Sequence, residues 1–532
     1  MEWINKTMGQ CLYEQARSGG NSTALETGQW SCTWEELDRI TDYMAGEMLE
    51  DGITKGTHAG LWSINSPGWV LTFLALVKIG AVPVLINTCF KGTEVQRVME
   101  YSDARVLYYG AGYKTADYGE IVRGLNGTLA KTDRFISLEN AEYERWREKE
   151  LEGKLAERLQ AAKTQVKPSD SLCMIFTSGT TSIPKGVMLS HFSVVNNAKA
   201  MTECLHWGTE DRLCLSVPLF HCFGITAGLT ACIISGMSMY LLPYFKTASV
   251  WDAVEWGKCT VLNGVPSMFL AMIQKSEYKN RNGDGIRSGI VAGSPVTKEE
   301  FFSISSRFPN AHLLPSYGQT ETSPCVTMAG WNDSLNKRGS GAGKAIAHVE
   351  IRIGDISSGR ILPAGMDGEI QVRGYNVMQG YYNLPQVNEA AFTTDGWLKT
   401  GDTGYMDEDG ELHVTGRIKE MIIRAGENIS PYEIEEVIGC VPWVSQVKVI
   451  GVPAKVVQEE IAACIIPKAG CDVCKEELME YLSPRLAYYK IPSYVLTFEE
   501  FPMNASGKIN LKILKRMAQE KIGNESLCAH NT

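Results

Sequence analysis

The segment Phe176–Val187 has the residue types of a loop that binds phosphate. It follows the short apolar run Leu172–Phe176 and contains Ser and Thr hydroxyls, Gly179 and Lys185. Glycine lets backbone N–H groups approach an anion, the hydroxyls add hydrogen-bond donors, and the lysine supplies positive charge. The spacing is not that of the common P-loop, because Lys185 is followed by Gly186 rather than by Ser or Thr. A flexible surface turn has a similar composition, so both interpretations stay open for this segment alone.

Three further short segments offer groups that a nucleotide or an acid would need. Tyr317–Glu321 presents an aromatic ring, hydroxyls and a carboxylate, which suit adenine, phosphate and magnesium respectively. Asp402 follows a glycine and is suited to grip two ribose hydroxyls, and Lys508 is the one lysine of the glycine-tipped loop Pro502–Ile509. The plainer alternatives are a packed Tyr with a solvated Glu, a turn-forming Asp and a surface lysine. His221 lies among aromatic residues and is, by itself, more typical of a core histidine than of a catalyst.

The composition is that of an ordinary globular protein. The chain has 532 residues, of which 44% are hydrophobic and 21% charged, so it can bury a large core. A net charge of -10 and a pI near 5.5 argue against nucleic acid as a partner, since such a protein would show a basic face. Fifteen scattered cysteines without a secretory leader predict reduced thiols and a cytoplasmic location. The close pair Cys471 and Cys474 has no second Cys or His cluster, so we expect no metal or redox site there.

One uncharged window has the length of a membrane span. Phe223–Leu242 carries no charge over twenty residues, yet it holds three glycines and several hydroxyl residues and ends before Pro243. We predict a buried helix, a break at Gly236 and a buried strand, and therefore no membrane span.

Alternating helices and strands in the first 170 residues predict a parallel sheet with helices on its faces. Ser66 and Pro67 predict the start of a helix that runs to Ile79, and Val82–Ile86 predicts a strand. Thr93 is expected to cap the next helix. A solvated amphipathic helix is expected within residues 141–160.

The sequence pattern changes after residue 339. Short strands separated by Gly, Asp and Asn turns predict a small antiparallel barrel over residues 339–416. Gly416–Ile429 predicts a domain boundary, and Ser430 with Pro431 predicts the start of a helix in a compact α+β unit. The predicted fold class is α/β. A large N-terminal domain, residues 1–416, contains two βαβ-type sheet subdomains and the barrel, and an α+β domain follows over residues 417–532.

Five segments occur in the order found in the adenylate-forming superfamily, which includes acyl-CoA synthetases, luciferases and stand-alone adenylation domains. The chain resembles that family from about residue 10 to residue 520, and one motif alone would be weak. The resemblance implies a two-step reaction: a carboxylate attacks the α-phosphate of ATP, and a thiol, most often that of CoA, then displaces AMP from the acyl-adenylate. The five segments are Thr177–Gly186, Tyr317–Glu321, Thr400–Asp402, Gly416–Asn428 and Ser506–Ile509.

The resemblance also implies residue roles. Glu321 would hold Mg²⁺, Lys508 would contact the carboxylate and the α-phosphate, and His221 would shape the acyl pocket rather than act as a strong base. The β- and γ-phosphates would be held by Thr177, Ser178, Gly179, Thr180, Thr181 and Lys185. The rest of the nucleotide would be held by Thr320 at the α-phosphate, Tyr317 and Gly293 at adenine, and Asp402 and Arg417 at the ribose.

Members of the family rotate the C-terminal domain between the two half-reactions. Lys419 stands at the hinge position, and rotation would replace Lys508 by a loop whose Gly426 leaves a tunnel for pantetheine. The departures from the usual pattern remove no group that the chemistry requires, so we predict an active enzyme. They are Ser182, Ala425 and Met503–Asn504.

The residues around the predicted acyl pocket favour a fatty or aromatic carboxylate. Relatives that activate amino acids place an Asp after the Phe of the turn Phe220–Cys222, and no carboxylate stands there in this chain. An unpaired buried ammonium is costly, which disfavours free amino acids. A betaine stays open, because aromatic side chains can hold a quaternary ammonium. The predicted lining residues are Cys222, Phe223, Met268, Ser316 and Gly318.

Three functions remain open at this point. The favoured one is a CoA ligase. The first alternative is an adenylating enzyme that loads a carrier protein's phosphopantetheine, which would leave free CoA unconsumed. The second is a catalytically silent acyl or nucleotide sensor, which predicts the loss of Lys508, Glu321 or Asp402, although all three are present. The oligomeric state is open as well, with a homodimer as one option.

Overall fold

The computed structural model describes residues 1–140, 146–147, 149–177, 185–274, 276–424, 427–454, 458–504 and 506–529. In these ranges two mixed sheets with helices on their faces form the large N-terminal part of the chain, and two smaller, mainly antiparallel sheets follow. This arrangement confirms the α/β class that the alternating pattern predicts.

The first sheet carries the strand that leads to the predicted phosphate loop. Its middle strands are parallel, and the two strands at the phosphate-loop edge are antiparallel. Helices on its faces include Trp34–Glu50, Pro67–Lys78, Gly92–Tyr101, Tyr118–Leu125 and His191–Leu205. From one edge to the other the strands are Gly380–Tyr381, Lys185–Ser190, Ser171–Thr177, Val82–Leu85, His58–Trp62, Val106–Tyr109 and Arg134–Ser137.

Of the helix starts predicted at Ser66 and Thr93, the first is correct and the second is wrong. Ser66 caps the helix Pro67–Lys78 as predicted, its hydroxyl accepting a hydrogen bond from Trp69 N at 3.1 Å. The prediction for Thr93 is wrong, because the helix begins one residue earlier at Gly92 and Lys91 is its N-cap. The Glu94 carboxylate accepts a hydrogen bond from Lys91 N at 2.9 Å, which fixes this earlier start.

The amphipathic helix expected within residues 141–160 lies further along the chain, at Gly153–Gln165. Leu159 is its buried residue, whereas Leu151 precedes the helix. Residues 141–145 and 148, which are part of that prediction, lie outside the described residues.

The second sheet contains the strand that ends at Tyr317. Its central strands are parallel, and two short antiparallel strands extend one edge. Helices that cover it include Thr247–Glu255, Pro266–Gln274 and Lys298–Arg307. From one edge to the other the strands are Lys344–Ala345, Thr327–Met328, His312–Tyr317, Ser288–Ala292, Val261–Leu262, Arg212–Leu215, Ser238–Leu241, Thr23–Glu26 and Ser31–Thr33.

The uncharged window Phe223–Leu242 is a buried helix, a turn and a strand, as predicted. The helix has π-type geometry over Gly224–Thr230 and continues as an α-helix over Ala231–Ser235. Gly236 then adopts a φ of 75°, and the strand Ser238–Leu241 follows. Among the described residues, no helix combines the length and the apolar character needed to cross a lipid bilayer.

The third sheet is antiparallel and occupies the segment in which a small barrel was predicted. Its strands follow one another in chain order: Val349–Gly354, Gly368–Gly374, Leu398–Met406 and Leu412–Arg417. The last two strands place Asp402 and Arg417 directly opposite each other.

The last part of the chain contains a strand, a strand, a helix and a strand after the helix Pro431–Gly439, in the predicted order. Ser430 precedes that helix as expected, but its hydroxyl donates to the Thr415 carbonyl instead of capping the helix. The strands of its sheet are Ile422–Arg424, Glu427–Ile429, Val444–Ala454, Gln458–Pro467 and Tyr494–Thr497, and its further helices are Lys475–Leu482 and Leu511–Ala529.

Candidate active site

Tyr317 and Arg417 meet at the carboxylate of Asp402. The Tyr317 hydroxyl donates a hydrogen bond to Asp402 Oδ2 at 2.9 Å, and Arg417 Nε donates to Asp402 Oδ1 at 2.7 Å. The Asp402 side chain is only 5% exposed. Burial raises the pKa of Tyr317, and the negative charge of Asp402 adds to this effect, so the phenol remains a donor. Tyr317 and Arg417, from two other strands, thereby fix the buried carboxylate of Asp402.

Glu321 lies in the short 3₁₀ turn Thr320–Thr322, which follows the strand His312–Tyr317. The Tyr381 hydroxyl donates to Glu321 Oε1 at 3.0 Å, and Met378 N donates to the Glu321 carbonyl at 2.8 Å. Burial raises the pKa of Glu321, while the hydrogen bond from Tyr381 opposes that rise. The turn requires Gly318, because a Cβ atom there would overlap the carbonyl oxygen of Pro324.

Lys508 reaches this site from the C-terminal part of the chain. A Cβ atom on Gly293, which has a φ of 90°, would lie 3.4 Å from Lys508 Cε. The neighbouring Gly507 accepts a hydrogen bond from the Ser267 hydroxyl through its carbonyl. Burial lowers the pKa of Lys508, and the positive charge of Arg417 lowers it further. Lys508 is therefore held beside Gly293, at the end of the strand Ser288–Ala292 of the second sheet.

The hairpin that carries Lys508 is held by Asn504, one of the departures from the usual family pattern. Its side-chain oxygen accepts hydrogen bonds from Ser506 N at 3.0 Å and from Lys508 N at 2.9 Å. Asn504 N in turn donates to the Lys508 carbonyl at 2.8 Å. The departure therefore preserves an ordered turn before the lysine.

His221 and Cys222 lie next to the site, where the charge of Lys508 acts on both side chains. Phe223 N donates to His221 Nδ1 at 3.3 Å, and Cys222 Sγ lies 3.5 Å from Thr320 Oγ1. Burial lowers the pKa of His221 to about 3, with a further contribution from the charge of Lys508. An imidazole with that pKa is neutral at physiological pH and is a poor base, in keeping with the role predicted for it in shaping the pocket.

The described ends of the predicted phosphate loop lie next to the Glu321 turn. Thr177 and Lys185 are paired across antiparallel strands. Lys185 Nζ lies 4.9 Å from the centre of the Tyr381 ring. Four predicted phosphate-binding residues, and Gly426 of the predicted pantetheine tunnel, lie outside the described residues. The four are Ser178, Gly179, Thr180 and Thr181.

Lys419, the predicted hinge, lies apart from this cluster. It is exposed in the short turn Ile418–Glu420, between the last strand of the third sheet and the first strand of the C-terminal sheet. This connection is compatible with a hinge, and both the hinge and the division at residues 416 and 417 remain predictions.

Tyr381 is a site residue that the sequence analysis missed. It contacts both Lys185 and Glu321, yet it lies in a segment interpreted only as part of the barrel. The sequence gives a weak indication in the pair Tyr381–Tyr382 after Gly380, but nothing in the pattern shows which ring faces the site.

The donor set around Glu321 suits a magnesium ion that is held mainly by a nucleotide. In the part of the chain that the structure describes, no group of three or more His, Cys, Asp or Glu side chains is placed to hold a metal ion. Mg²⁺ is commonly bound by one or two carboxylates together with substrate phosphates. A single carboxylate next to the described ends of the predicted phosphate loop fits that chemistry.

Comparisons with known proteins address the family of this chain. The model of the AMP-binding enzyme family matches residues 12–382, and that of the AMP-binding enzyme C-terminal domain matches residues 433–508. YngI of Bacillus subtilis, provisionally named an acyl-CoA synthetase, is 37% identical over 96% of each chain. The human mitochondrial medium-chain acyl-CoA ligase ACSF2 is 32% identical over 95% of this chain and 86% of its own length.

Solved structures show the same fold. ATP-bound MatB from Rhodopseudomonas palustris has a TM-score of 0.85 at 24% identity and covers 97% of this chain and 99% of its own. The o-succinylbenzoate-CoA synthetase MenE of Bacillus subtilis, solved with ATP and magnesium, has a TM-score of 0.77 at 28% identity and covers 94% of this chain and 98% of its own.

The chain belongs to the AMP-binding enzyme family. Within that family its class is that of the AMP-forming acyl-CoA synthetases, which are acid–thiol ligases.

Proposed function

We propose that this enzyme uses ATP to activate a fatty or aromatic carboxylic acid as an acyl-adenylate and then transfers the acyl group to CoA. The observation that carries the proposal is the position of Lys508 beside Gly293, in a site that also contains Asp402 and Glu321. A basic side chain there can contact the two anions that must meet in the first step.

Asp402 and Arg417 bind the ribose, and Tyr317 and Gly293 bind the adenine ring. The support for this assignment is the fixed carboxylate of Asp402, which has one partner on each oxygen. A carboxylate accepts hydrogen bonds from the two ribose hydroxyls, and the partly buried ring of Tyr317 offers a face for stacking.

Lys185 and Thr177 bind the β- and γ-phosphates together with the hydroxyls and backbone of residues 178–181, and Thr320 binds the α-phosphate. Glu321 is the protein ligand of the magnesium ion that accompanies ATP. When bound, that ion neutralises phosphate charge and helps to orient the phosphates.

Lys508 contacts the substrate carboxylate and the α-phosphate during adenylation. Its lowered pKa follows from burial, and a phosphate beside it favours the charged form. His221 is neutral at the proposed acyl side of the site, so it brings no charge next to the carboxylate.

The acyl group occupies an apolar region beside Lys508. Val265 and Met268 lie within 3.1 Å of the position that a Cβ atom on Gly507 would take, and Cys222 and Phe223 are buried nearby. Burial raises the pKa of Cys222 to about 11, so its thiol is uncharged. These apolar surroundings and the 30–32% identity to medium-chain acyl-CoA ligases place fatty acids first among the acids to be tested.

CoA is the acceptor in the second step. We propose that the C-terminal domain, residues 417–532, then turns about Lys419, withdraws Lys508 and brings Gly426 to the tunnel for pantetheine. The proposal rests on the resemblance of the motifs and on the names of the relatives.

Mass spectrometry tests the function directly. The purified protein is incubated with ATP, magnesium and a mixed pool of fatty, aromatic and betaine carboxylates, with and without CoA. The expected result is an acyl-CoA together with AMP, from fatty acids first. Accumulation of acyl-AMP with unconsumed CoA would favour a carrier-protein acceptor, and the absence of any adenylate would overturn the proposal.

A further inference from the structure

Tyr381 contacts the two charged groups that the proposed function assigns to ATP and magnesium. Its hydroxyl donates to Glu321 Oε1 at 3.0 Å, and its ring centre lies 4.9 Å from Lys185 Nζ. Lys185 begins a strand of the first sheet, and Glu321 lies in the turn after a strand of the second. Within the described part of the chain these two side chains form no ion pair with each other. One aromatic side chain thus contacts a carboxylate through its edge and an ammonium through its face.

The backbone of Tyr381 is fixed from both sides. The strand Gly380–Tyr381 pairs with the strand Lys185–Ser190, so that Tyr381 is opposite Val187. On the other side, Tyr381 N donates to Asn388 Oδ1 at 2.6 Å, and Asn388 Nδ2 donates to the Tyr381 carbonyl at 2.9 Å. The ring position is therefore set by backbone pairing and by an amide clamp.

The same segment is also tied to the Glu321 turn and to the start of the strand that bears Lys185. Met378 N donates to the Glu321 carbonyl, and Tyr382 N donates to the Gly186 carbonyl, each at 2.8 Å. A single stretch of chain thereby connects the proposed metal ligand with the proposed phosphate-binding lysine.

The electrostatics of the two contacts reinforce each other. The Tyr381 hydroxyl is the donor in its contact with Glu321, because an ionised carboxylate can only accept a hydrogen bond. A phenol that donates to a carboxylate is more electron-rich, which strengthens the attraction between its ring and a cation. Without the ring, the opposite charges of Lys185 and Glu321 would draw the two side chains together.

We propose that Tyr381 is a positioning residue that holds Glu321 and Lys185 apart, each oriented toward the place where magnesium and the terminal phosphates of ATP bind. Direct pairing of the lysine with the glutamate would satisfy both charges and close the site to the nucleotide. The inference rests on the proposed function, because it takes Glu321 as the magnesium ligand and Lys185 as a phosphate ligand.

The test uses the full-length protein and its Tyr381→Phe and Tyr381→Leu variants. Calorimetry measures the binding of the β,γ-imido analogue of ATP over a range of Mg²⁺ concentrations, without any acid. For Tyr381→Phe, which loses only the hydroxyl, we expect the half-saturating Mg²⁺ concentration to rise about tenfold or more, as for a lost hydrogen bond to a charged group. For Tyr381→Leu, which also loses the ring, we expect nucleotide affinity at saturating Mg²⁺ to fall by a further factor of about 3 to 30.

The neighbouring Tyr382→Phe variant is the matched control. The Tyr382 hydroxyl donates to Asp103 Oδ2 at 3.0 Å, so this variant loses an equivalent hydrogen bond away from the site. Its Mg²⁺ requirement and nucleotide affinity should equal those of the wild type, and thermal unfolding checks that all variants are folded. A purely structural role would not raise the Mg²⁺ requirement in Tyr381→Phe and, in addition, lower the nucleotide affinity at saturating Mg²⁺ in Tyr381→Leu.

The outcomes separate this inference from the function on which it rests. If the wild type binds the magnesium–nucleotide normally and the Tyr381 variants match it, the inference is overturned and the proposed function stands. The inference is also overturned if Tyr382→Phe changes binding as much as Tyr381→Phe does. If the wild type binds no magnesium–nucleotide, the proposed function fails and this inference fails with it.

Discussion

Tyr317 donates a hydrogen bond to Asp402 across 85 residues of sequence, and this contact joins the second, mixed sheet to the third, antiparallel sheet. Tyr317 ends a strand of the second sheet, whereas Asp402 belongs to the third. Arg417, opposite Asp402 on the next strand, binds the other carboxylate oxygen. The carboxylate of Asp402 therefore holds together the residues of the proposed adenosine site, which come from both sheets.

Asp402→Asn should weaken ATP binding more than it slows catalysis. Asparagine keeps the shape of the side chain but leaves Arg417 without its charged partner and offers a ribose one acceptor instead of two. We expect the KM for ATP in ATP–pyrophosphate exchange to rise about 10- to 100-fold, because a hydrogen bond to a charged group contributes roughly 1.5–3 kcal/mol. The value of kcat should change less.

Asp395→Asn serves as the control for that variant. Asp395 pairs with Arg352 at 2.6 Å in the same part of the fold but at the surface. Its loss should leave the KM for ATP unchanged, since exposed ion pairs contribute little. An equal rise in KM for both variants would indicate a general disturbance of the sheet and would contradict the assignment of Asp402 to the ribose.

Lys508→Ala should separate the two half-reactions. We expect adenylate formation to fall by about a hundred- to a thousandfold, the range for the loss of one preorganised charge-stabilising donor. Thioester formation from supplied acyl-adenylate should stay close to the wild-type rate, because the proposed rotation would remove Lys508 from the site before that step. The control is Lys512→Ala, an exposed lysine just after the same hairpin. Equal loss of both half-reactions would contradict the rotation.

Local sequence patterns predict the structure correctly at positions where interactions between neighbouring residues determine it. Ser66 before Pro67 gave the correct helix start, because a hydroxyl cap and proline at the first position act within one turn. The break at Gly236 was predictable for a similar reason, since its φ of 75° is one that glycine adopts readily. The class of the fold followed from the alternation of such elements.

Tertiary contacts explain what the sequence pattern missed. The helix predicted within residues 141–160 is observed at Gly153–Gln165, where Leu159 packs into the core. Leu151 precedes this helix and packs against the helix Trp34–Glu50. The role of Tyr381 depends on the pairing of strands from residues 185 and 380, and no local pattern encodes that pairing. The sequence shows where the motifs lie, but it does not show that Tyr381 contacts residues of two of them.

His191 should make the stability of the protein depend on pH. It is fully buried, its Nδ1 accepts a hydrogen bond from Met8 N at 3.1 Å, and burial lowers its pKa from 6.5 to about 4. Between these two values the unfolded chain takes up a proton that the folded protein does not, so stability falls as the pH falls, by about 1.4 kcal/mol per pH unit. Above pH 6.5 this loss is absent.

His191→Gln removes this titration. Urea unfolding at pH 7 and pH 5 should show that the variant loses about 2 kcal/mol less stability between the two values than the wild type does. His348→Gln, which replaces an exposed histidine, should keep the wild-type difference. If the wild type and His191→Gln lose the same amount, His191 is not protonated differently in the two states.

Gly507→Ala should impair adenylation through the contact between the hairpin and the acyl side of the site. Gly507 has a φ of 76°, and a Cβ atom there would lie 3.1 Å from both Met268 Cε and Val265 Cγ2. Gly470 has a φ of 79° with no atom within 4 Å of the same position, so Gly470→Ala adds the backbone strain without the contact. We expect adenylation by Gly507→Ala to fall about tenfold, because the added contact displaces the hairpin and misplaces Lys508. Thioester formation from supplied acyl-adenylate should be spared, and Gly470→Ala should be fully active in both half-reactions. If Gly470→Ala were equally impaired, strain rather than the seating of Lys508 would account for the loss.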